Sequence, residues 1–128
     1  MTNLIIDTTG EKIFLKIIIN DDIEYSIKHD NSRDNFDKLV ILIFNFISNN
    51  NIELSKIDNI FINQGPGKYT SIRSAISIVK ALKISKKVSI YGYYSSQIVN
   101  NDHFILVKLL KEGRLTKDFI QPKYQINY

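Results

Sequence analysis

Two short polar segments carry the residue types that could bind a phosphate or a metal ion. The first is Asp7-Thr8-Thr9-Gly10, which follows an apolar run, and the second is Gly65-Pro66-Gly67-Lys68 near the middle of the chain. A carboxylate at a strand end can hold a hydrated metal ion, and a glycine turn before a helix presents backbone N–H groups to an anion. The two segments therefore predict either a nucleotide site or a pair of structural turns.

The glycine segment does not have the spacing of a P-loop. That motif places four residues between its glycines and Ser or Thr directly after the lysine. Here one residue separates the two glycines, and Tyr69 follows the lysine. The segment instead predicts a sharp turn with Thr70 or Ser71 capping the next helix. Arg73, in the first turn of that helix, could pair with an anion or with a partner carboxylate.

Groups that could catalyse a reaction are sparse elsewhere. The sequence has no cysteine, and its two histidines, His29 and His103, do not stand in a metal-ligand spacing. Metal-assisted phosphoryl transfer usually needs more than one carboxylate, but the predicted fourth and fifth strands end in Asn63 and Tyr93. These residues indicate that Asp7 hydrogen-bonds its own turn, and that the chain is not an enzyme by itself and has no metal or cofactor of its own.

The order of the predicted elements gives the fold class. Three β-rich runs separated by short polar turns come first, and the third alternates with period two, which places it nearest an edge. The order βββ-α-β-α-β-α, with a five-stranded mixed sheet, is typical of the α/β ribonuclease H-like or actin-like half-fold. The predicted strands are Asn3–Asp7, Ile13–Ile19, Ile23–Lys28, Ile57–Asn63 and Val88–Tyr93, and the predicted helices are Phe36–Ile47, Thr70–Ile84 and Tyr94–Val99. The run His103–Leu110 could add another strand.

The first predicted helix is apolar around most of its girth. Its predicted buried stripe consists of Phe36, Leu39, Val40, Ile43, Phe44 and Ile47. Three further apolar residues lie outside that stripe, namely Ile41, Leu42 and Phe46. An apolar surface of this width needs cover on a second side. The cover is either the second helix of the same chain or another subunit.

The second predicted helix has one core-facing stripe and one face of mostly small side chains. The core stripe is Ile72, Ala75, Ile76, Val79 and Leu82, and the neighbouring face is Ser71, Ser74, Ile78, Ala81 and Ser85. Small side chains let another helix approach closely. This face therefore indicates either a helical partner or an ordinary solvated surface.

Composition and charge favour one cytoplasmic domain. With 128 residues, 44% of them hydrophobic, the chain can bury a real core. The net charge of +4 falls short of a dedicated nucleic-acid binder, although the basic second half leaves an RNA-binding module as a third alternative. No apolar run approaches the roughly 20 residues that span a bilayer, and no signal-peptide pattern begins the chain.

Three segments resemble the TsaB (YeaZ) family. Ile5-Ile6-Asp7-Thr8-Thr9 resembles the family's Ile-Asp-Thr-Ser/Thr start, and Gly65–Arg73 resembles its Gly-Pro-Gly-Ser-Phe-Thr-Gly-Leu-Arg segment. Pro122-Lys123-Tyr124 is similar to the Pro-x-Tyr near the C-terminus of many members. The resemblance covers roughly residues 1–100. Ser71 stands where the family motif has glycine, and Ser32-Arg33-Asp34-Asn35 replaces the usual Arg-x-His.

The resemblance implies an actin-like fold and a non-catalytic role in making N6-threonylcarbamoyladenosine at position 37 of tRNA. The implied partners are a TsaD-like catalytic subunit, a TsaE-like ATPase in the same complex, and tRNA indirectly. ATP and Mg²⁺ would act only through that complex. The chain could also form a homodimer through its first two helices. The implied interface residues are Phe36, Leu39, Ile41, Leu42, Ile43, Phe46, Ser71, Arg73, Ser74, Ile78 and Ala81.

The resemblance also predicts how the chain is divided. Typical members are nearly twice as long and have a second lobe. We therefore expect residues 1–100 to form the actin-like domain, and residues 101–128 to be a short remnant of the second lobe with a C-terminal tail packed on the domain. The alternative function is an ATP-binding enzyme of the actin-like fold, in which Asp7, Thr8, Thr9, Gly65, Pro66, Gly67 and Thr70 contact the nucleotide rather than only forming turns.

Overall fold

The computed structural model describes residues 1–85, 87–117 and 120–123, with the backbone alone for residues 84 and 85. The strands are β1 (Thr2–Asp7), β2 (Lys12–Ile19), β3 (Ile23–Asp30), β4 (Asn59–Asn63), β5 (Ser89–Tyr93) and β6 (Thr116–Lys117). The α-helices are α1 (Arg33–Asp37), α2 (Leu39–Asn49), α3 (Tyr69–Ser85) and α4 (Ile105–Lys111). Short 3-10 turns occupy Leu54–Lys56 and Ser95–Gln97. In the described part of the chain, no helix is long and apolar enough to cross a membrane.

One mixed sheet forms the centre of the molecule, in the strand order β3-β2-β1-β4-β5-β6. The first three strands pair antiparallel, whereas β1, β4 and β5 are parallel. The predicted antiparallel meander is confirmed, and β3 lies at the edge as its alternating pattern indicated. The prediction of five strands was wrong, because Thr116 and Lys117 add a sixth against Tyr91 and Gly92. Two residues are too few to show any periodicity in the sequence.

The two faces of the sheet have separate cores. On one face, α2 and α3 pack against β1, β2, β4 and β5, through a cluster that includes Leu4, Leu15, Ile43, Ile60 and Val79. On the other face, α4 places Leu106 and Leu109 against Ile5, Ile18, Phe61 and Tyr93. The central strands are buried on both sides for this reason, as their unbroken apolar runs predicted.

The first predicted helix is two helices in the structure. Ser32 caps α1, its hydroxyl accepting a hydrogen bond from the backbone N–H of Asn35 at 3.3 Å. Lys38 then separates α1 from α2, with φ −105° and ψ 14°. Leu39, Ile43 and Ile47 of the predicted buried stripe are buried as predicted. Its members Val40 and Phe44 are instead exposed, and Phe46, predicted to lie outside the stripe, is buried. A helix with apolar residues on nearly every side does not define its own inner face.

The third predicted helix was misplaced. The segment Tyr94–Val99 forms only the short turn Ser95–Gln97, and the possible strand His103–Leu110 is instead α4. Leu106 and Leu109 are three residues apart and both buried, which is helical spacing. A short apolar run of this kind is compatible with either a strand or a helix until its packing is known.

Candidate functional site

Asp7 ends β1 and holds the turn that follows it. Its Oδ1 accepts hydrogen bonds from the backbone N–H of Thr9 at 2.9 Å and from the Thr9 hydroxyl at 2.7 Å. Its Oδ2 accepts a hydrogen bond from Nδ2 of Asn63 at 3.0 Å, across the parallel pair β1 and β4. As predicted, Asp7 hydrogen-bonds its own turn, and in addition it ties that turn to the end of β4.

The glycine turn packs directly against the Asp7 turn. The backbone N–H of Lys68 donates to the carbonyl of Thr9 at 3.1 Å, and a Cβ at Gly67 would overlap that same carbonyl oxygen. Gly65 has φ +114°, which favours glycine, and its N–H donates to Oδ1 of Asn63 at 2.8 Å. Because Gly67 touches Thr9, these two residues leave no space between them for a phosphate group.

A small polar pit lies beside these turns, at the carboxyl ends of β1, β4 and β5. Its volume is about 140 Å³, and it is lined by Asp7, Asn63, Tyr93, Ser95, Ile98, Asn101 and His103. Nδ2 of Asn63 also donates to the Ser95 hydroxyl at 3.0 Å. The Tyr93 hydroxyl and Nδ1 of His103 are buried and make no well-aligned hydrogen bond among the described residues, although Asn63 and the Asn101 backbone interact with them weakly. The pit is therefore a polar site with unused hydrogen-bonding capacity.

Burial determines the protonation state of the Tyr93 hydroxyl and the His103 imidazole. Desolvation, followed by the nearby Asp7 carboxylate, raises the pKa of the Tyr93 hydroxyl well above its ordinary value. Desolvation, followed by the Lys16 ammonium, lowers the pKa of His103 below its ordinary value. At neutral pH the pit therefore contains a protonated tyrosine and a neutral imidazole.

The donor set of the pit does not match a metal site. Asp7 is the one carboxylate among its lining residues. Across the described ranges, no three His, Cys, Asp or Glu side chains lie together in a group that could hold a metal ion. A neighbouring cleft of about 580 Å³ contributes Lys12 and Lys16, but these lysines pair with Asp30 and Glu24. The arrangement can hydrogen-bond a small polar group, and it lacks the second carboxylate that phosphoryl transfer usually requires.

The structure brings together Asp7, Asn63, Tyr93, Ser95 and His103, of which only Asp7 was predicted as a site residue. Asn63 and Tyr93 could have been found, because the carboxyl ends of neighbouring parallel strands meet at one edge. His103 precedes α4, whose position was predicted wrongly. Ser95 follows β5 in a turn that carries no local motif for such a site.

A second candidate surface lies on α2. Val40, Ile41 and Phe44 are exposed by 44%, 57% and 40%. They lie within five consecutive residues of one helix and are large and apolar. Clustered exposure of this kind marks an interaction surface more often than single scattered apolar residues do. We call Val40, Ile41 and Phe44 the α2 patch.

Several predicted interface residues are not available to a partner. Leu39, Ile43 and Phe46 are 1%, 1% and 4% exposed, because they form the core beneath α2. Ser71 is also buried, and its hydroxyl donates to Oδ1 of Asn31 at 3.2 Å. The exposed or half-buried members of the predicted set are Phe36, Ile41, Leu42, Arg73, Ser74, Ile78 and Ala81. The sequence analysis missed Val40 and Phe44 as surface residues because it placed both in the buried stripe of the first helix.

A cleft of about 400 Å³ continues the helical surface at the end that holds α1. It is lined by Asn31, Ser32, Arg33, Phe36, Asp37, Thr70 and Ser71. These residues come from α1, from the loop before it and from the start of α3. The half-buried Phe36 lines this cleft, where an inserted side chain could contact it.

Comparison with known proteins identifies the family. Residues 28–104, more than half of the chain, match the family model described as TsaD, tRNA N6-adenosine threonylcarbamoyltransferase. The tRNA threonylcarbamoyladenosine biosynthesis protein TsaB of Buchnera aphidicola subsp. Schizaphis graminum (strain Sg) is 28% identical over 94 residues, which are 73% of this chain and 42% of that protein.

Solved structures share the fold. YeaZ from Pseudomonas aeruginosa superposes with a TM-score of 0.68 at 20% identity, over 88% of this chain and 49% of that one. A protein described as similar to peptidase YeaZ from Pseudomonas aeruginosa gives a TM-score of 0.66 at 22% identity, over 73% of this chain and 43% of that one. The chain thus spans less than half the length of these relatives.

These similarities confirm the ribonuclease H-like or actin-like α/β fold that the order of elements predicted. The motifs at Asp7 and at the glycine turn, the family model and the named relatives all agree. The chain belongs to the family that the TsaD model describes, and the relatives named above are TsaB and YeaZ proteins.

Proposed function

We propose that the chain is a non-catalytic docking subunit in the synthesis of N6-threonylcarbamoyladenosine in tRNA. It binds and stabilises a TsaD-like catalytic subunit through the outer surface of α2 and α3. The observation that carries this proposal is the exposed α2 patch, Val40, Ile41 and Phe44. The printed name of the Buchnera relative supplies the pathway.

The outer surface of the helices suits a helical partner. Both α2 and α3 cover the same face of the sheet, so their outer sides are presented together. On α3, Ile78 is half-buried, and the small residues Ser74 and Ala81 lie on the same side of the helix. Small residues beside a larger apolar one allow the ridge of another helix to seat closely. A pair of partner helices on this surface would cover the α2 patch.

The polar pit supports a non-catalytic role for this chain. Its single carboxylate, Asp7, already accepts hydrogen bonds from Thr9 and Asn63. In the proposal, ATP and Mg²⁺ act through the catalytic subunit and a TsaE-like ATPase, and tRNA is reached through the complex. We place this complex in the cytoplasm.

Reconstituted tRNA modification tests the proposal. The wild-type chain is combined with the TsaD-like subunit, the other components of the complex and tRNA, and threonylcarbamoyladenosine is measured by mass spectrometry of nucleosides. We expect Ile41→Glu to lose most of the activity and Asp7→Asn to retain it. Loss of activity in Asp7→Asn, with the complex still assembled, would contradict a non-catalytic role.

The second candidate function is an ATP-binding enzyme, favoured by the free hydrogen-bonding capacity of Tyr93 and His103 beside Asp7. The contact between Gly67 and Thr9 argues against it, because a phosphate has no space between those two residues. Calorimetric titration of the chain with ATP, with and without Mg²⁺, separates the two functions. Tight Mg²⁺-dependent binding that Asp7→Asn abolishes would support the enzyme, and our account expects none.

A further inference from the structure

The edge strand β3 has an unusually accessible apolar side. Ile23, Tyr25 and Ile27 are 46%, 40% and 37% exposed, on the face of the sheet that α2 and α3 cover elsewhere. Only β2 pairs with β3 among the described strands. The outer backbone groups of an edge strand are a template for pairing with another strand. A cleft between β3 and α2 is lined by Ser26, Ile27 and His29 on the strand side and by Leu42, Asn45, Phe46, Asn49 and Asn50 on the helix side.

The sequence of β3 is complementary to itself when one copy runs antiparallel to another. A two-fold axis at Ser26, perpendicular to the sheet, sets Glu24 opposite Lys28 of the second copy, and sets Lys28 opposite the second Glu24. The same axis sets Tyr25 opposite Ile27 twice. Directly opposite residues in an antiparallel pair lie on the same face, so the two charged pairs form on one face of the sheet and the two apolar pairs on the other.

The charges of β3 are placed for this pairing. Glu24 forms an ion pair with Lys16 of its own sheet at 3.2 Å, and 48% of its side chain is exposed. The second Lys28 would therefore extend this ion pair into a row of alternating charge. The same axis sets Asp30 opposite Asp22 of the second copy, and the ion pair of Lys12 with Asp30 offsets the repulsion between these two carboxylates. An aromatic ring opposite a β-branched side chain is also a favourable cross-strand pair.

We propose that a second copy of this chain pairs with β3, antiparallel and centred on Ser26, so that the two sheets become one continuous sheet across a two-fold axis. This surface is separate from the α2 patch, so the inference does not rest on the proposed function. A two-fold interface is the commonest form of self-association, and it requires the self-complementary surface that β3 offers.

Charge exchange tests the register. Self-association of the purified chain is measured by sedimentation equilibrium from micromolar to millimolar concentration. In Lys28→Glu, two attractive cross-strand pairs become repulsive, and we expect the dimer dissociation constant to rise about tenfold. Glu24→Lys should weaken the dimer similarly. The double variant Glu24→Lys/Lys28→Glu restores both cross-strand pairs with their signs reversed but loses the ion pair with Lys16, so it should recover part of the lost dimer affinity.

Ile41→Glu is the matched control for the helical surface, and urea unfolding of each variant checks that it folds. We expect Ile41→Glu to leave the β3 dimer intact. A dimer lost in Ile41→Glu but unaffected by either strand variant would assign self-association to the helices and overturn the inference. A wild-type chain that stays monomeric over the whole range would also overturn it and leave the edge to a strand from another protein. Failure of the double variant to recover would refute the Ser26 register.

Discussion

At the scale of single residues, Gly67 shows that the glycine turn packs directly against the turn after Asp7. Its backbone lies against the carbonyl of Thr9, and Lys68 donates to that carbonyl from the next position. Asp7 and Asn63 then join the two turns to the ends of β1 and β4. The glycine motif that looked like a phosphate cradle in the sequence is thus a packing element between two strand ends.

Substitution of Gly67 by alanine should destabilise the fold. The new Cβ would overlap the backbone of Thr9, which cannot move without shifting β1, and overpacking of this kind costs about 1–3 kcal/mol. The free energy of unfolding in urea measures the effect. Gly10→Ala is the matched control, because nothing lies within 4 Å of a Cβ at Gly10. Equal stability of the two variants would contradict the close contact between Gly67 and Thr9.

His103 should make stability depend on pH. Burial lowers its pKa in the folded chain, so below the ordinary value of 6.5 the unfolded chain binds the proton more readily. Its contribution is present above that pH and is lost as the pH falls through the folded-state pKa. Urea unfolding at a series of pH values measures this slope. We expect His103→Gln to flatten the slope relative to the wild type, and an unchanged slope would show that His103 is not its source.

At the scale of elements, α2 has one buried and one exposed apolar side, and its sequence does not distinguish them. Phe44 and Phe46 are the same residue type, two positions apart, yet one is 40% exposed and the other 4%. The sequence indicated that the helix needs cover on a second side, from another helix of the chain or from another subunit, and in the structure Val40, Ile41 and Phe44 stay exposed. It could not indicate which residues face the core, because apolar side chains occur on nearly every side of the helix. Packing against the sheet determines which side is buried.

The two phenylalanines give a matched test of that division. Phe46→Ala removes a ring from the core and should cost roughly 3–5 kcal/mol of unfolding free energy. Phe44→Ala removes a surface ring and should stay within about 1 kcal/mol of the wild type. Chemical denaturation of the two variants under the same conditions provides the comparison. The reverse order of stabilities would mean that α2 packs in the phase the sequence first predicted.

Other elements were predictable to different degrees for physical reasons. The sheet from β1 to β5 followed from long β-rich runs and from the alternation of Ile23 to Lys28, which are strong local signals. The positions of α4 and β6 depend on the path of the chain after β5, and the residues against which they pack are distant in sequence. The polar pit was missed in part for the same reason, since His103 lies just before the misplaced α4.

At the scale of the whole molecule, two apolar surfaces are available for partners. The α2 patch lies on the helical side, and the strip of Ile23, Tyr25 and Ile27 lies along the free edge of the sheet. The two surfaces share no residue, because one consists of helix residues and the other of strand residues. We therefore assign the helices to the catalytic partner and the strand edge to a second copy.

The most direct test of the docking account is the affinity of the chain for the TsaD-like subunit, measured by titration calorimetry. Ile41→Glu places a charge in the centre of the α2 patch, whereas Val99→Glu places one at another exposed apolar residue, 61% exposed and away from α2. The account predicts that Ile41→Glu weakens binding about thirtyfold or more, as expected for a residue at the centre of an interface. Val99→Glu should bind like the wild type. Wild-type affinity in Ile41→Glu, with the variant folded, would show that the catalytic partner does not dock on α2.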